Sequence, residues 1–133
     1  EPAVGTSVTL TPGLTDSDTS GFPMEETTAM VSGGPRLVEN GAICTTLEPG
    51  FQEARFTSAV TSRTALGKLA DGKLVIVSTG SASIQQLREL MLQLGCVEAV
   101  NLDGGGSTAL AYQGKLIRSP GRELTTTLQI FAH

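Results

Sequence analysis

Apolar and polar residues alternate along three stretches of this chain, and each stretch is interrupted near its middle by a residue followed by glycine. The first is Arg36-Leu37-Val38-Glu39-Asn40-Gly41-Ala42-Ile43, the second spans 65–77 around Asp71-Gly72, and the third spans 109–117 around Gln113-Gly114. A two-residue type I′ turn needs φ > 0 at both centres, which Asn-Gly and Asp-Gly accept readily. The pattern therefore predicts three β-hairpins.

A different period takes over at residue 83. Ile84, Leu87, Met91 and Leu94 recur at steps of three and four, Leu90 widens the stripe, and Gln85, Arg88, Glu89 and Gln93 take the other face. Ser83, three residues before Gln86, fits a capping box, and Gly95 supplies the left-handed position after the last turn. One amphipathic helix over about 84–94 is predicted, with its apolar face on a sheet. Apolar runs at 74–78 and 97–102 flank it, giving a βαβ-like unit in which ligands collect at the C-terminal strand ends. Alternation at 4–10 and at 125–131 predicts an opening and a closing strand. Residues 15–21 and 47–56 read as irregular connections. Asp16 and Asp18 lack the spaced glutamate of a calcium loop, so a solvated loop is expected there. The fold class is α+β: a mixed or antiparallel sheet built from hairpins, with one main helix.

Composition narrows the picture. With 133 residues, 39% of them hydrophobic, the chain suits one core, so a single domain over 1–133 is expected. Because a strand-like pattern starts within a few residues of Glu1, the chain reads as the C-terminal part of a longer domain. The net charge of −4 leaves no basic stripe for nucleic acid, and no apolar run approaches the roughly 18 residues of a membrane span. Neither a nucleic-acid partner nor membrane insertion is expected.

The cysteine and histidine content excludes whole mechanisms. Cys44 and Cys96 are read as buried thiols, with a disulfide between them as the alternative in an exported protein. The single histidine is His133, so a Ser-His-Asp triad or a Cys-His pair has no central base. Catalysis falls to carboxylates, arginines, hydroxyls and backbone donors. No cofactor is expected, and no metal ligands are assigned.

Those groups converge on one run, Asn101-Leu102-Asp103-Gly104-Gly105-Gly106-Ser107-Thr108, at the end of the strand predicted after the helix. Its bland reading is a turn or bulge. Its chemical reading is a carboxylate beside backbone amides that an anion can approach, with two small hydroxyls. The nucleotide-gripping hairpin of actin- and Hsp70-like ATPases places a spacer between acid and glycines. Here Asp103 abuts Gly104, which turns the acid to the other face of a strand.

The run also stands last in an ordered set. Gly33-Gly34-Pro35-Arg36-Leu37-Val38 with Asn40-Gly41, Arg63-Thr64-Ala65-Leu66-Gly67 with Asp71-Gly72-Lys73, Leu94-Gly95-Cys96, and residues 99–108 together resemble the phosphodiester glycosidase family in order and spacing, over roughly 30–131. The resemblance implies hydrolysis of the bond between a sugar anomeric carbon and a phosphodiester oxygen, in a secreted, lumenal or cell-envelope setting. It implies a sugar phosphodiester or glycan substrate, with the remaining segment of the same domain as a partner. On that reading Asp103 and Arg63 are the catalytic candidates, Asp103 as nucleophile, base or stabiliser of oxocarbenium charge. Arg63 and Arg122 hold phosphate oxygens, and the amides of Gly104, Gly105, Gly106 and Ser107 form an anion nest. Thr64, Thr108, Asn101, Gly33 and Gly34 complete the substrate-binding set.

Each assignment has a structural counterpart. Arg63 suits an edge-strand gatekeeper, Arg122 a solvated pair with Glu123, Asn101 a strand cap, and Gly33 and Gly34 a turn. The alternative function is a non-catalytic glycan- or phosphate-binding module that retains the Asp-Gly-Gly-Gly-Ser loop. One Tyr, four Phe and no Trp favour a small polar cleft over a stacking platform for sugars.

Overall fold

The structure is a computed structural model that describes residues 3–9 and 27–131. The stretch 15–21 with Asp16 and Asp18 lies outside the described residues, as does Leu10 of the expected opening strand. The chain divides into two compact units, 1–31 and 32–133. In the first, the described residues form no strand: Thr6 donates its N–H to the Ala3 carbonyl at 3.0 Å in a turn.

The second unit is built on a five-stranded sheet. Its strands are β1 (Arg36–Glu39), β2 (Ala42–Ile43), β3 (Thr61–Leu69), β4 (Leu74–Ala82) and β5 (Cys96–Asn101), in the order β2-β1-β5-β3-β4. Every adjacent pair is antiparallel. A one-turn helix α1 (Ala54–Thr57) precedes β3, inside the connection expected to be irregular, and α2 (Ile84–Gln93) links β4 to β5. A separate hairpin of β6 (Leu110–Tyr112) and β7 (Lys115–Arg118) follows. The α+β class and its hairpin construction are present.

Three expectations need correction. The helix does connect two strands of the same direction, but β3 lies between them, so no adjacent parallel pair forms. The local run from β4 through α2 fixes direction only. The long pairing of β3 with its own hairpin partner, in register at seven positions, claims the position beside β4. Second, the turn at Asp71-Gly72 is wider than two residues: only Gly72 has positive φ, and the Leu69 N–H donates to the Lys73 carbonyl at 2.8 Å. The Asp71 carboxylate accepts the Lys73 N–H at 3.1 Å, a local side-chain bond that favours ordinary φ at Asp71. The other two turns are of the expected kind, with positive φ at Asn40 and Gly41 and at Gln113 and Gly114. Third, residues 125–131 form no strand despite their alternation, and Leu128, Ile130 and Phe131 are exposed. An alternating segment becomes a strand only when a sheet edge offers its ladder of hydrogen bonds, and none here pairs with it.

Helix α2 starts where its capping signal lies. The Ser83 hydroxyl accepts the Gln86 N–H at 3.1 Å, the Gln86 side chain accepts the Ser83 N–H at 2.9 Å, and Gly95 has φ +84° past the last turn. Its stripe packs Ile84, Leu87 and Met91 against Leu37, Val38, Ala65, Cys96 and Ala99, the core of this unit. Arg88, expected on the solvent face, is buried instead, with Nη2 donating to the Thr46 carbonyl at 3.0 Å. Both cysteines are free thiols, and burial pushes each above its ordinary pKa. Ser83→Ala removes one cap acceptor and should lower unfolding free energy by about 1 kcal/mol, read from denaturant midpoints with unchanged slope.

Alternation places Arg63, Ala65, Gly67 and Leu69 of β3 toward α2, and Ser62, Thr64, Leu66 and Lys68 on the opposite face. That opposite face carries a concavity lined by Leu66, Leu74 and Val100 with Arg36, Lys68 and Glu98. Strand β4 forms one margin of the sheet, with Leu74 and Ile76 exposed on it.

Candidate functional site

The antiparallel order brings together the start of β1, the start of β3, the end of β4 and the end of β5. The residues singled out from the sequence gather at this end of the sheet. Asn101 closes β5 and fastens the segment before β1 to it: the Gly34 N–H donates to the Asn101 carbonyl at 2.7 Å, and Asn101 Nδ2 donates to the Gly34 carbonyl at 2.8 Å. The Asn101 N–H in turn donates to the Pro35 carbonyl at 3.1 Å. Gly33 lies against the Asn101 carbonyl and Gly34 against the Phe51 ring, so these two shape the strand junction. Asn101 is buried, and its Oδ1 has no partner among the described residues.

From Asn101 the chain passes Leu102, whose N–H donates to the Thr64 carbonyl at 2.8 Å, and emerges at Asp103. Gly104 is pressed onto β3: a Cβ there would stand 2.7 Å from the Ser62 carbonyl oxygen, so only glycine fits. Residues Gly105–Ser107 make a single 3-10 turn, with the Ser107 N–H donating to Gly104 and the Thr108 N–H to Gly105. The Gly104 N–H donates to Asp103 Oδ1 at 2.9 Å. Of the four amides expected to form an anion nest, those of Gly104 and Ser107 are thus engaged within the loop, and those of Gly105 and Gly106 are not. Thr108 is buried with its hydroxyl unpartnered among the described residues.

Asp103 is exposed, and Arg122 sits over it. Arg122 Nη2 lies 3.4 Å from Asp103 Oδ2, while Nε and Nη2 donate to Ser107 Oγ at 2.9 and 2.5 Å. The remaining nitrogen, Nη1, donates to the Glu123 backbone carbonyl at 3.1 Å, so Arg122 is bound to the loop and not to the Glu123 carboxylate. The turn carrying Arg122 is itself tied to the loop by the Gly121 N–H, which donates to the Gly106 carbonyl at 2.8 Å. Hydrogen bonding from the Ser107 side chain is the largest influence on Asp103. With the Gly104 N–H and the Arg122 charge it outweighs desolvation and holds the carboxyl below its ordinary pKa. Asp103 is therefore ionised at neutral pH and suits a nucleophile, base or charge stabiliser, not a proton donor.

Arg63 is engaged by backbone carbonyls. Its side chain is buried, Nε donates to the Ala82 carbonyl at 3.1 Å, and Nη2 donates to the carbonyls of Arg55 and Ala59 at 2.7 and 2.9 Å. The Nε–Nη2 edge that grips a phosphate in two-point fashion is already occupied by backbone. Burial pulls its pKa down from the ordinary arginine value. Thr64, its neighbour on β3, points to the opposite face, so the two side chains do not share one pocket.

Sequence reasoning passed over Ser62 and Arg118. Arg118 closes β7, and its Nη2 donates to Ser62 Oγ at 2.7 Å, while Ser62 Oγ donates to the Gly80 carbonyl at 3.0 Å. The available signal was the Ser119-Pro120-Gly121 segment between two arginines, of which Arg118 reaches Ser62 of β3 and Arg122 reaches Ser107. Among the described residues no three metal-ligating side chains cluster.

The antiparallel α+β scaffold thus presents a partnered aspartate and a glycine triplet at a strand end. The phosphodiester glycosidase family model matches residues 3–131, and the chain belongs to that family. It is similar to N-acetylglucosamine-1-phosphodiester alpha-N-acetylglucosaminidase of Bos taurus, 29% identical over 106 residues and covering 68% of this chain. The Homo sapiens enzyme of the same name is 28% identical over the same share. The chain spans about a fifth of the length of these curated relatives, 20% and 21%. Among solved structures, a hypothetical protein from Synechocystis superposes with a TM-score of 0.56 at 33% identity, over 66% of this chain and 18% of its own. The zebrafish N-acetylglucosamine-1-phosphodiester alpha-N-acetylglucosaminidase catalytic domain, auto-inhibited by its pro-peptide, shares the fold. Its TM-score is 0.56 at 24% identity, over 79% of this chain and 37% of that one.

Proposed function

We propose that this chain supplies the C-terminal part of a hydrolase domain that cleaves a sugar-1-phosphodiester, with Asp103 as its reacting carboxylate. The observation that carries the reading is the exposed, ionised Asp103 held by Ser107, Gly104 and Arg122 beside amides that an anion can approach. A phosphodiester is a competent leaving group and is already charged, so its departure asks more for charge complementarity than for a strong general acid. A carboxylate kept ionised fits that demand. Asn101, Gly33 and Gly34 set the position of the strand end, Thr64 stands on the neighbouring β3, and Thr108 follows the 3-10 turn. The names of the relatives support a sugar phosphodiester as substrate, and the secreted, cell-envelope or lumenal setting follows from the family resemblance alone. No helix among the described residues is long and apolar enough to cross a membrane.

The test is release of free sugar and phosphomonoester from a sugar-1-phosphodiester by the full-length protein, followed across pH. Turnover should fall as pH drops through the depressed Asp103 pKa, because the ionised form is lost there. Ser107→Ala removes the largest influence holding that pKa down, so the acid limb should move to higher pH. Binding of the phosphodiester without turnover in the wild type would instead favour a non-catalytic module.

A further inference from the structure

We infer that Arg118 is the residue that holds the anionic phosphodiester group, an assignment that rests on the sugar-phosphodiester reading of the site. It starts from where the positive charges go, the exposed Lys68 and Lys115 aside. Arg36 pairs with Glu39 and Glu48, Arg55 with Glu53, Lys73 with Asp71 and Arg122 with Asp103. Arg63 and Arg88 donate to backbone carbonyls. Arg118 is half-buried, and its one side-chain partner is the neutral hydroxyl of Ser62. Among the described residues no carboxylate pairs with it. A guanidinium partly withdrawn from water without a counter-charge is costly, and an anionic ligand removes that cost.

Its place suits that ligand. Ser62 links Arg118 to the reacting loop: its Oγ accepts Arg118 Nη2, and its carbonyl oxygen is the atom against which Gly104 is pressed. Gly80 forms a floor without a side chain, a Cβ there standing 3.7 Å from Arg118 Nη1, and Ser62 Oγ fixes the floor through the Gly80 carbonyl. The two arginines on either side of the Ser-Pro-Gly turn then divide the work. Arg122, with Nε, Nη1 and Nη2 all engaged, holds Asp103 and Ser107. Arg118, with most of its donors unengaged, offers the planar fork that phosphate oxygens accept.

The test uses full-length protein carrying Asp103→Asn, so that bound substrate persists, and calorimetric titration with N-acetylglucosamine 1-(methyl phosphate) against methyl N-acetylglucosaminide. The charged ligand should bind at least about tenfold tighter than the neutral one, a preference of about 1.4 kcal/mol. Adding Arg118→Gln should abolish the preference at an unchanged melting temperature, and Arg118→Lys should keep part of it, since charge survives but the fork does not. If Arg118→Gln does not fold, Arg118→Lys decides alone: an undiminished preference overturns the assignment. So does an undiminished preference in a folded Arg118→Gln protein, or no preference before Arg118 is changed. The hydrolase reading fails separately, when the wild type binds the charged ligand but releases no sugar.

Discussion

Asp103→Asn is expected to lower sugar release from a sugar-1-phosphodiester by about a thousandfold, within the range that a positioned acid, base or nucleophile contributes. The melting temperature should stay where it is. Asp103 is exposed, and an exposed substitution of this kind changes stability by no more than about 0.5 kcal/mol. Asparagine keeps an oxygen for the Gly104 N–H, which bonds Asp103 Oδ1 at 2.9 Å, so the loop loses little of its geometry. What it loses is the negative charge toward Arg122 and toward positive charge developing at an anomeric carbon. The decisive comparison is kcat against KM in the full-length protein: a fall in kcat at nearly constant KM identifies a group acting in the transition state. Unchanged turnover would remove Asp103 from the reaction.

Arg63→Met should act in the opposite way, on stability. Methionine replaces the stem of the side chain but none of its donors, leaving the carbonyls of Ala82, Arg55 and Ala59 without them. Unsatisfied buried acceptors cost about 1–3 kcal/mol each, so a loss of about 3 kcal/mol or more is expected. For a domain of this size that lowers the melting midpoint by about ten degrees or more. Arg63→Lys should recover little, because one ammonium on a flexible stem does not replace a planar fork directed at carbonyls from three places. Should Arg63→Met melt normally yet bind sugar phosphodiesters weakly, the phosphate-holding role expected from sequence would return.

The contrast between Asp103 and Arg63 explains what could be read from the chain. Turns and caps are local, so Asn40-Gly41, Gln113-Gly114 and the Ser83–Gln86 box announced themselves through a few adjacent residues. Asp103 and its glycines were legible for the same reason, since the chemistry and the backbone freedom it needs lie side by side. The partners of Arg63 come from α1, the following loop and the end of β4, and nothing in the sequence near position 63 records them. The burial of Arg88 depends likewise on a carbonyl 42 positions away. Alternation at 125–131 described a side-chain pattern without saying whether a sheet edge would accept it. The insertion of β3 between β4 and β5 is a choice of neighbour that periodicity does not encode.

Strand β4 has a practical meaning for anyone preparing this protein. Its nine residues, Leu-Val-Ile-Val-Ser-Thr-Gly-Ser-Ala, contain neither charge nor proline, and among the described strands only β3 pairs with it. Margins of sheets are ordinarily guarded by lysine, proline or a bulge against joining another chain edge to edge. Here the bulge lies only at the far end, between Thr61 and Arg63, leaving the Leu74–Val77 half unguarded. Ile76→Lys, at an exposed position on that half, should therefore lower edge-to-edge association of this chain without altering the contacts of Asp103.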